Sequence, residues 1–188
     1  MQSSPFPRAS LAALSLATVA MIAVIALSNY LVQFVINDWL TYAAFSFPLT
    51  FLVTDLVNRR FGPGAARVVV AIGFLVAAIL SLWLAPWRIA AASASAFLVS
   101  QLLDVQVFDR LRRAQWWLAP LVSSSLGSLV DTLIFFSIAF AGSGIAWLPL
   151  AAGDLAVKLA FALLLLAPFR ALMSRSDASL LSAAASSR

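Results

Sequence analysis

The sequence predicts an all-α polytopic membrane protein with six transmembrane helices and cytoplasmic N- and C-termini. Composition is the first reason: 63% of residues are hydrophobic and 10% charged, with a mean hydropathy of +1.02, against about 45–50% apolar residues in soluble domains. Length is the second, since six spans of roughly 20 residues leave only short connections in 188 residues. Charge placement is the third. With six spans, Arg8, Arg59, Arg60, Arg67, Arg110, Arg112, Arg113, Arg170 and Arg175 fall on one side and only Arg88 on the other. Basic connections stay cytoplasmic, and an odd number of spans would scatter the asymmetry.

Residues 1–9 read as a short polar segment and 10–170 as the six-helix membrane domain. Span 1 is placed at roughly 10–36, because its apolar run continues past Asn29 and Gln33 to Ile36, longer than the about 7–15 residues of a signal-peptide core. Asn37, Asp38 and Trp39 turn the chain. Span 2, from about Trp39 to Val57, contains Pro48, whose ring and missing N–H interrupt a helix, and Gly62-Pro63-Gly64 follows Asn58-Arg59-Arg60 as a firm stop. Backbone groups freed at that depth are tolerated beside protein or a water-filled cavity; a kink that only aids packing is the other use.

Span 3 is expected at about 65–85, before Pro86 and Trp87, and span 4 runs from Arg88 to about Asp109. Span 5 opens at Trp116-Trp117 and reaches about Phe140. After Gly142-Ser143-Gly144, span 6 covers about 147–169, with Pro149 in its first turn and Pro168 and Arg170 at its close. A Ser- and Ala-rich cytoplasmic tail, 171–188, is expected to be disordered. Trp39, Trp83, Trp87 and Trp147 mark one boundary and Trp116 and Trp117 the other, as aromatic belts do.

Missing residues exclude much chemistry. There is no His and no Cys, and all seven acids are Asp. A Ser-His dyad, a thiolate nucleophile and the usual zinc ligands are absent, so no catalytic residue, metal site or cofactor is assigned. A net charge of +5 and a pI near 11.1 would suggest nucleic acid in a soluble protein, but here the arginines sit between apolar spans. The bilayer is therefore the partner, and nucleic acid is not.

Polar groups at membrane depth face a cavity or each other. By depth, Asn29, Gln33, Asp131 and Asp154 fall in the outer half, Lys158 near the middle, and Gln101, Asp104 and Asp55 in the inner half. Asp154 and Lys158 are four apart, on one helix face in the favourable order; they are either a neutralising pair or part of a site. Asp131 has no basic residue within a turn in sequence, so its partner is another helix, a ligand or a proton. Gln101 and Asp104 share a face with Phe97, which suits a planar hydrogen-bonding solute or, equally, interhelical contact. Asp109, before Arg112 and Arg113, is structural. Small residues at spacings of four, Ala92 and Ala96, Ser123 and Gly127, Ser124 and Ser128, predict that spans 4 and 5 are neighbours or form a homodimer seam. FLVTDLVN at 51–58 also resembles FLVSQLLD at 97–104, as a repeated hairpin or by chance.

FPLTFLVTDLVNRRFG, QLLDVQVFDRLR, SSSLGSLVDTLIFFSIAF and GDLAVK stand in the order found in the queuosine precursor transporter family, also called VUT, and the chain resembles that family over nearly all of 20–170. The resemblance implies bacterial inner-membrane uptake of 7-cyano-7-deazaguanine or its 7-aminomethyl relative, by alternating access, with 10–170 as the transporter domain. Such a base presents adjacent N–H donors, a carbonyl and a flat face. Asp131, Asp104, Asp55, Gln101, Asn29 and Gln33 are the candidate polar contacts, with Phe45, Phe97 or Phe135 stacking. Asp131, Asp154 and Lys158 are candidates for a charge pair or proton coupling. The alternatives are the substrate-binding membrane subunit of an energy-coupling-factor importer, a structural membrane protein without a solute, and, least favoured, a membrane enzyme. No phosphate-binding GxxxxGK[ST] loop is present.

Overall fold

The computed structural model describes residues 8–144 and 146–174. The chain runs α1 (Arg8–Leu31), a hairpin of β1 (Val35–Asn37) and β2 (Leu40–Thr41), α2 (Ala43–Ser46), α3 (Pro48–Phe61), α4 (Pro63–Leu84), α5 (Trp87–Leu111), α6 (Leu118–Phe140) and α7 (Trp147–Leu164). Among the described residues five helices are long and apolar enough to cross a membrane, and α2 with α3 forms a sixth, broken helical segment of the bundle. Two ends of the bundle follow: a hairpin end, with residues 32–42, 85–86, 141–144 and 146, and an arginine end, with residues 59–63 and 110–117. The expected segments 1–9 and 171–188 lie largely outside the described residues.

Three boundaries differ from expectation. Span 1 ends at Leu31 rather than near 36, because the chain doubles back and β-branched Val35 pairs with Thr41 and Asn37 with Leu40. The turn is fixed locally, the Asn37 side chain accepting the Trp39 N–H at 2.9 Å. Span 2 is shifted to 43–61. Pro48 sits at the first position of α3, and the ladder continues across the break through Phe47 N–H to Ala43 O at 3.0 Å and Thr50 N–H to Phe47 O at 2.9 Å. Span 6 bends at Leu165, where Pro168 removes a donor one turn on, and helix resumes over 166–174, beyond the expected end at 169. At the predicted stop, Gly62 has φ 91°, a left-handed value that favours glycine.

α5 is the central helix. It packs most extensively on α6, as the small residues predict, and also on α4 and α3; α1 lies on α4 and α7 on α6. Ala92 and Ala96 of α5 are fully buried. Gly127 instead admits a ring from α3, since a Cβ there would stand 2.6 Å from Phe51. The apolar core joins Met21, Ile25, Val69, Val70 and Phe97, while Leu16, Leu75, Leu82, Leu133 and Leu164 point outward. Such an exterior suits lipid. Trp83 and Trp87, 86% and 77% exposed, lie where the belt was expected.

Arg88, the exception to the charge asymmetry, caps α6. It donates from Nε to Ile138 O at 2.8 Å and from Nη2 to Ala141 O, satisfying carbonyls that a helix end leaves unpaired. Gly153 has an equally specific place, because a Cβ there would lie 2.0 Å from the Trp39 carbonyl oxygen. Gly153→Ala is therefore expected to push the hairpin off α7 at a cost of about 1–3 kcal/mol. Thermal unfolding of the detergent-purified protein checks this; an unaltered midpoint would show that the hairpin does not need to seat on α7.

Candidate functional site

A cavity of about 340 Å³ opens from the hairpin end and reaches mid-depth. Its upper wall is made where α1, the hairpin, α4 and α6 end, through Asn29, Gln33, Thr41, Pro86 and Phe140. Its lower wall is aromatic, with Phe47, Phe97, Phe135 and Phe136. Phe47 stands edge-on to Phe97 with ring centroids 6.4 Å apart, and Phe135 edge-on to Phe136 at 5.2 Å. Ser93 donates to Asn29 Oδ1 at 3.2 Å, which fixes that amide in the wall.

The floor is charged. Lys158 Nζ lies 2.7 Å from Asp131 Oδ2 and 2.5 Å from Asp154 Oδ2, and 5.0 Å from the centre of the Phe47 ring. Thr132 donates to Asp154 Oδ2 at 2.8 Å, and Ser100 to Asp131 Oδ1 at 3.3 Å. Two carboxylates share one ammonium, so the floor carries net negative charge. Each carboxylate oxygen can accept twice, so Asp131 keeps acceptor capacity beyond Lys158 and Ser100. Asp131, which has no basic neighbour in sequence, thus finds its partner on another helix.

Below the floor the bundle is closed by a polar seam between α3 and α5. Gln101 donates to Thr50 Oγ1 at 2.9 Å and accepts from Thr54 Oγ1 at 2.6 Å. One turn on, Asn58 donates to Val105 O at 3.0 Å. At the arginine end, Arg112 donates to Asn58 O at 2.5 Å and to Asn58 Oδ1 at 2.6 Å, and Arg59 donates to Arg112 O at 2.7 Å. Each arginine caps the other's helix, so Arg59 does more than mark orientation. Asp109 pairs with Arg112 at 3.3 Å, the structural use expected of it.

Of the residues singled out from sequence, Asn29, Gln33, Phe97, Asp131, Phe135, Asp154 and Lys158 line the cavity. Gln101, Asp104 and Asp55 do not; all three are buried between α3, α5 and α6. Phe45 is 42% exposed and lies against Phe161, because α2 turns Ala43, Ala44 and Ser46 inward instead. Sequence reasoning passed over Thr50, Thr54 and Asn58, although their spacing of four drew a polar stripe along α3. It also passed over Phe47, Ser93, Ser100 and Thr132, which single positions in apolar runs did not announce.

The sequence profile of a family described as "Putative vitamin uptake transporter" matches residues 41–86 and 78–173, well over half of the chain. The chain belongs to this family. The family's description is that of a transporter, and the five helices long and apolar enough to cross a membrane among the described residues agree with a multi-pass membrane protein. Among relatives, it is 42% identical over 141 residues to a protein of Escherichia coli strain K12 named queuosine precursor transporter, covering 62% of this chain and 64% of that one. It is 37% identical over 153 residues to a probable queuosine precursor transporter of Haemophilus influenzae, covering 62% and 65%. A third, from Bacillus subtilis, is 32% identical over 120 residues, covering 49% and 52%. The chain thus spans just under two thirds of the length of the first two and about half of the third. No solved structure matches the chain.

Proposed function

We propose that this family member imports a queuosine precursor, 7-cyano-7-deazaguanine or its 7-aminomethyl relative, by alternating access across the bacterial inner membrane. The observation that carries the reading is the cavity of about 340 Å³, open at the hairpin end, floored by the Asp131–Lys158–Asp154 triad and sealed beneath. Its volume is at the lower end of the about 300–1,000 Å³ typical of small-ligand sites, ample for a bicyclic base. Asp131 offers acceptors to the adjacent ring and exocyclic N–H donors, Lys158 or Asn29 a donor to the carbonyl, and the phenylalanines a flat stacking surface. The net negative floor also suits the aminomethyl form, whose amine is cationic.

With the arginine end cytoplasmic, the cavity faces the periplasm and the α3–α5 seam is the inner gate. The test is uptake of radiolabelled precursor by a bacterium unable to make the base, with and without this chain; equal uptake would refute the reading. Uptake by the chain reconstituted alone in liposomes would exclude dependence on the partner subunits of an energy-coupling-factor importer.

A further inference from the structure

We propose that Asp55 and Asp104 form a second functional site beneath the cavity floor, a carboxyl pair that carries the coupling proton. This rests on the transport reading above. The two residues come from α3 and α5, are 2% and 0% exposed, and have their carboxyl groups against each other. From α6, Ser123 donates to Asp55 Oδ1 at 3.3 Å and Ser124 to Asp55 Oδ2 at 3.0 Å. Asp104 has beside it only the Asp55 carboxyl and the Ser123 hydroxyl that it shares with Asp55, and neither of its oxygens accepts a hydrogen bond of ordinary geometry. A fully buried carboxyl whose one neighbouring hydroxyl already donates to Asp55 calls for a bound species.

Surrounding charges do not supply it. Among the described residues, Lys158 is held by Asp131 and Asp154, Arg112 by Asn58 and Asp109, and Arg59 by the Arg112 carbonyl. Arg67 on α4 is exposed. No described cation pairs with Asp55 or Asp104. Two carboxylates in contact away from water cannot both keep their charge cheaply. One proton relieves both, bonded to an oxygen of one carboxyl and donated to the other, as in other paired aspartates. A metal ion is less suited, because Ser123 and Ser124 already direct their hydroxyls at Asp55.

The pair also has a route to the cavity. A partly open crevice of about 10 Å³ between α3, α6 and α7, lined by apolar side chains such as Leu52, Ala162 and Leu165, touches both Asp55 and Lys158, close to the room one water needs. Lys158 lines both spaces. A proton that passes from cavity water to the pair leaves it with a single negative charge. When α3 and α5 part at the arginine end, water reaches the pair and the proton departs. The doubly charged pair then requires hydration, which ties proton release to the open seam.

The experiment uses the full chain purified into liposomes carrying a trapped pH dye, with 7-cyano-7-deazaguanine as the probe. Wild type should acidify the lumen as precursor enters, and an outside-acid gradient should raise initial uptake several-fold. Asp55→Asn and Asp104→Asn should still exchange labelled for unlabelled precursor but lose both responses. Intact exchange without any proton response in wild type would overturn the proposal and leave the transport reading standing, as would a sodium gradient replacing the proton gradient. Infrared spectroscopy supplies a readout independent of transport. A protonated-carboxyl band in wild type that disappears in both variants supports the pair, and a spectrum without that band overturns it even if uptake fails.

Discussion

Lys158→Met is expected to be the most damaging single change in the chain. Methionine keeps the length of the side chain and can fill the same space between α6 and α7, but it leaves Asp131 and Asp154 facing a site with no cation. Removing one partner of a buried ion pair costs about 3–5 kcal/mol, and here one removal strands two acids. Thr132 and Ser100 cannot compensate, because each already donates to one of them. The detergent-purified variant should unfold at a much lower temperature and take up no precursor. Adding Asp131→Asn and Asp154→Asn should recover most of the lost stability, since three neutral groups can share hydrogen bonds where two anions repel. Uptake should remain absent. A single variant with wild-type stability would mean that the triad is not an ion-paired unit.

How much of this was legible in the sequence depended on the range of each interaction. Helix positions were readable because apolar length, Gly62-Pro63-Gly64 and the tryptophans act locally. The error at residues 32–42 has a local cause too, since an apolar run of Val and Ile looks the same to a hydropathy count whether it continues a helix or doubles back as a hairpin. Asp154 and Lys158 were legible as a pair because a spacing of four fixes their proximity. Asp131 was legible only as a group needing a partner, because the distance to Lys158 is set by how α6 packs on α7. Segments 51–58 and 97–104, read from sequence as a repeated hairpin or a chance likeness, lie against each other in the fold, with Thr54 on Gln101 and, just beyond, Asn58 on Val105. Sequence could not show that this contact is a seam beneath the cavity and not its wall. That shift moves Gln101, Asp104 and Asp55 from expected grip on the base to closure and, as proposed above, to coupling.

Asp131→Asn should separate binding from folding more cleanly than any change at Lys158. The substitution removes one of two anions but leaves Lys158 with Asp154 at 2.5 Å, a neutral pair in place of a negative triad. The asparagine oxygen can keep the Lys158 contact made by Oδ2; the long bond from Ser100 to Oδ1 is given up, but that hydroxyl can still donate to Phe97 O, so unfolding temperature should change little. Binding should change greatly. The amide has one acceptor oxygen where the carboxylate had two, and its NH₂ would face the donor edge of the base, setting donor against donor. A lost hydrogen bond to a charged group costs about 1.5–3 kcal/mol, which corresponds to roughly 10- to 100-fold in affinity. The loss should be larger for the aminomethyl precursor, because its cationic amine also loses the net negative charge of the floor. Isothermal titration of wild type and variant with both precursors reads this directly. Equal losses for the two would leave the hydrogen-bonding edge as the whole of Asp131's contribution, and undiminished affinity for either would remove Asp131 from the site.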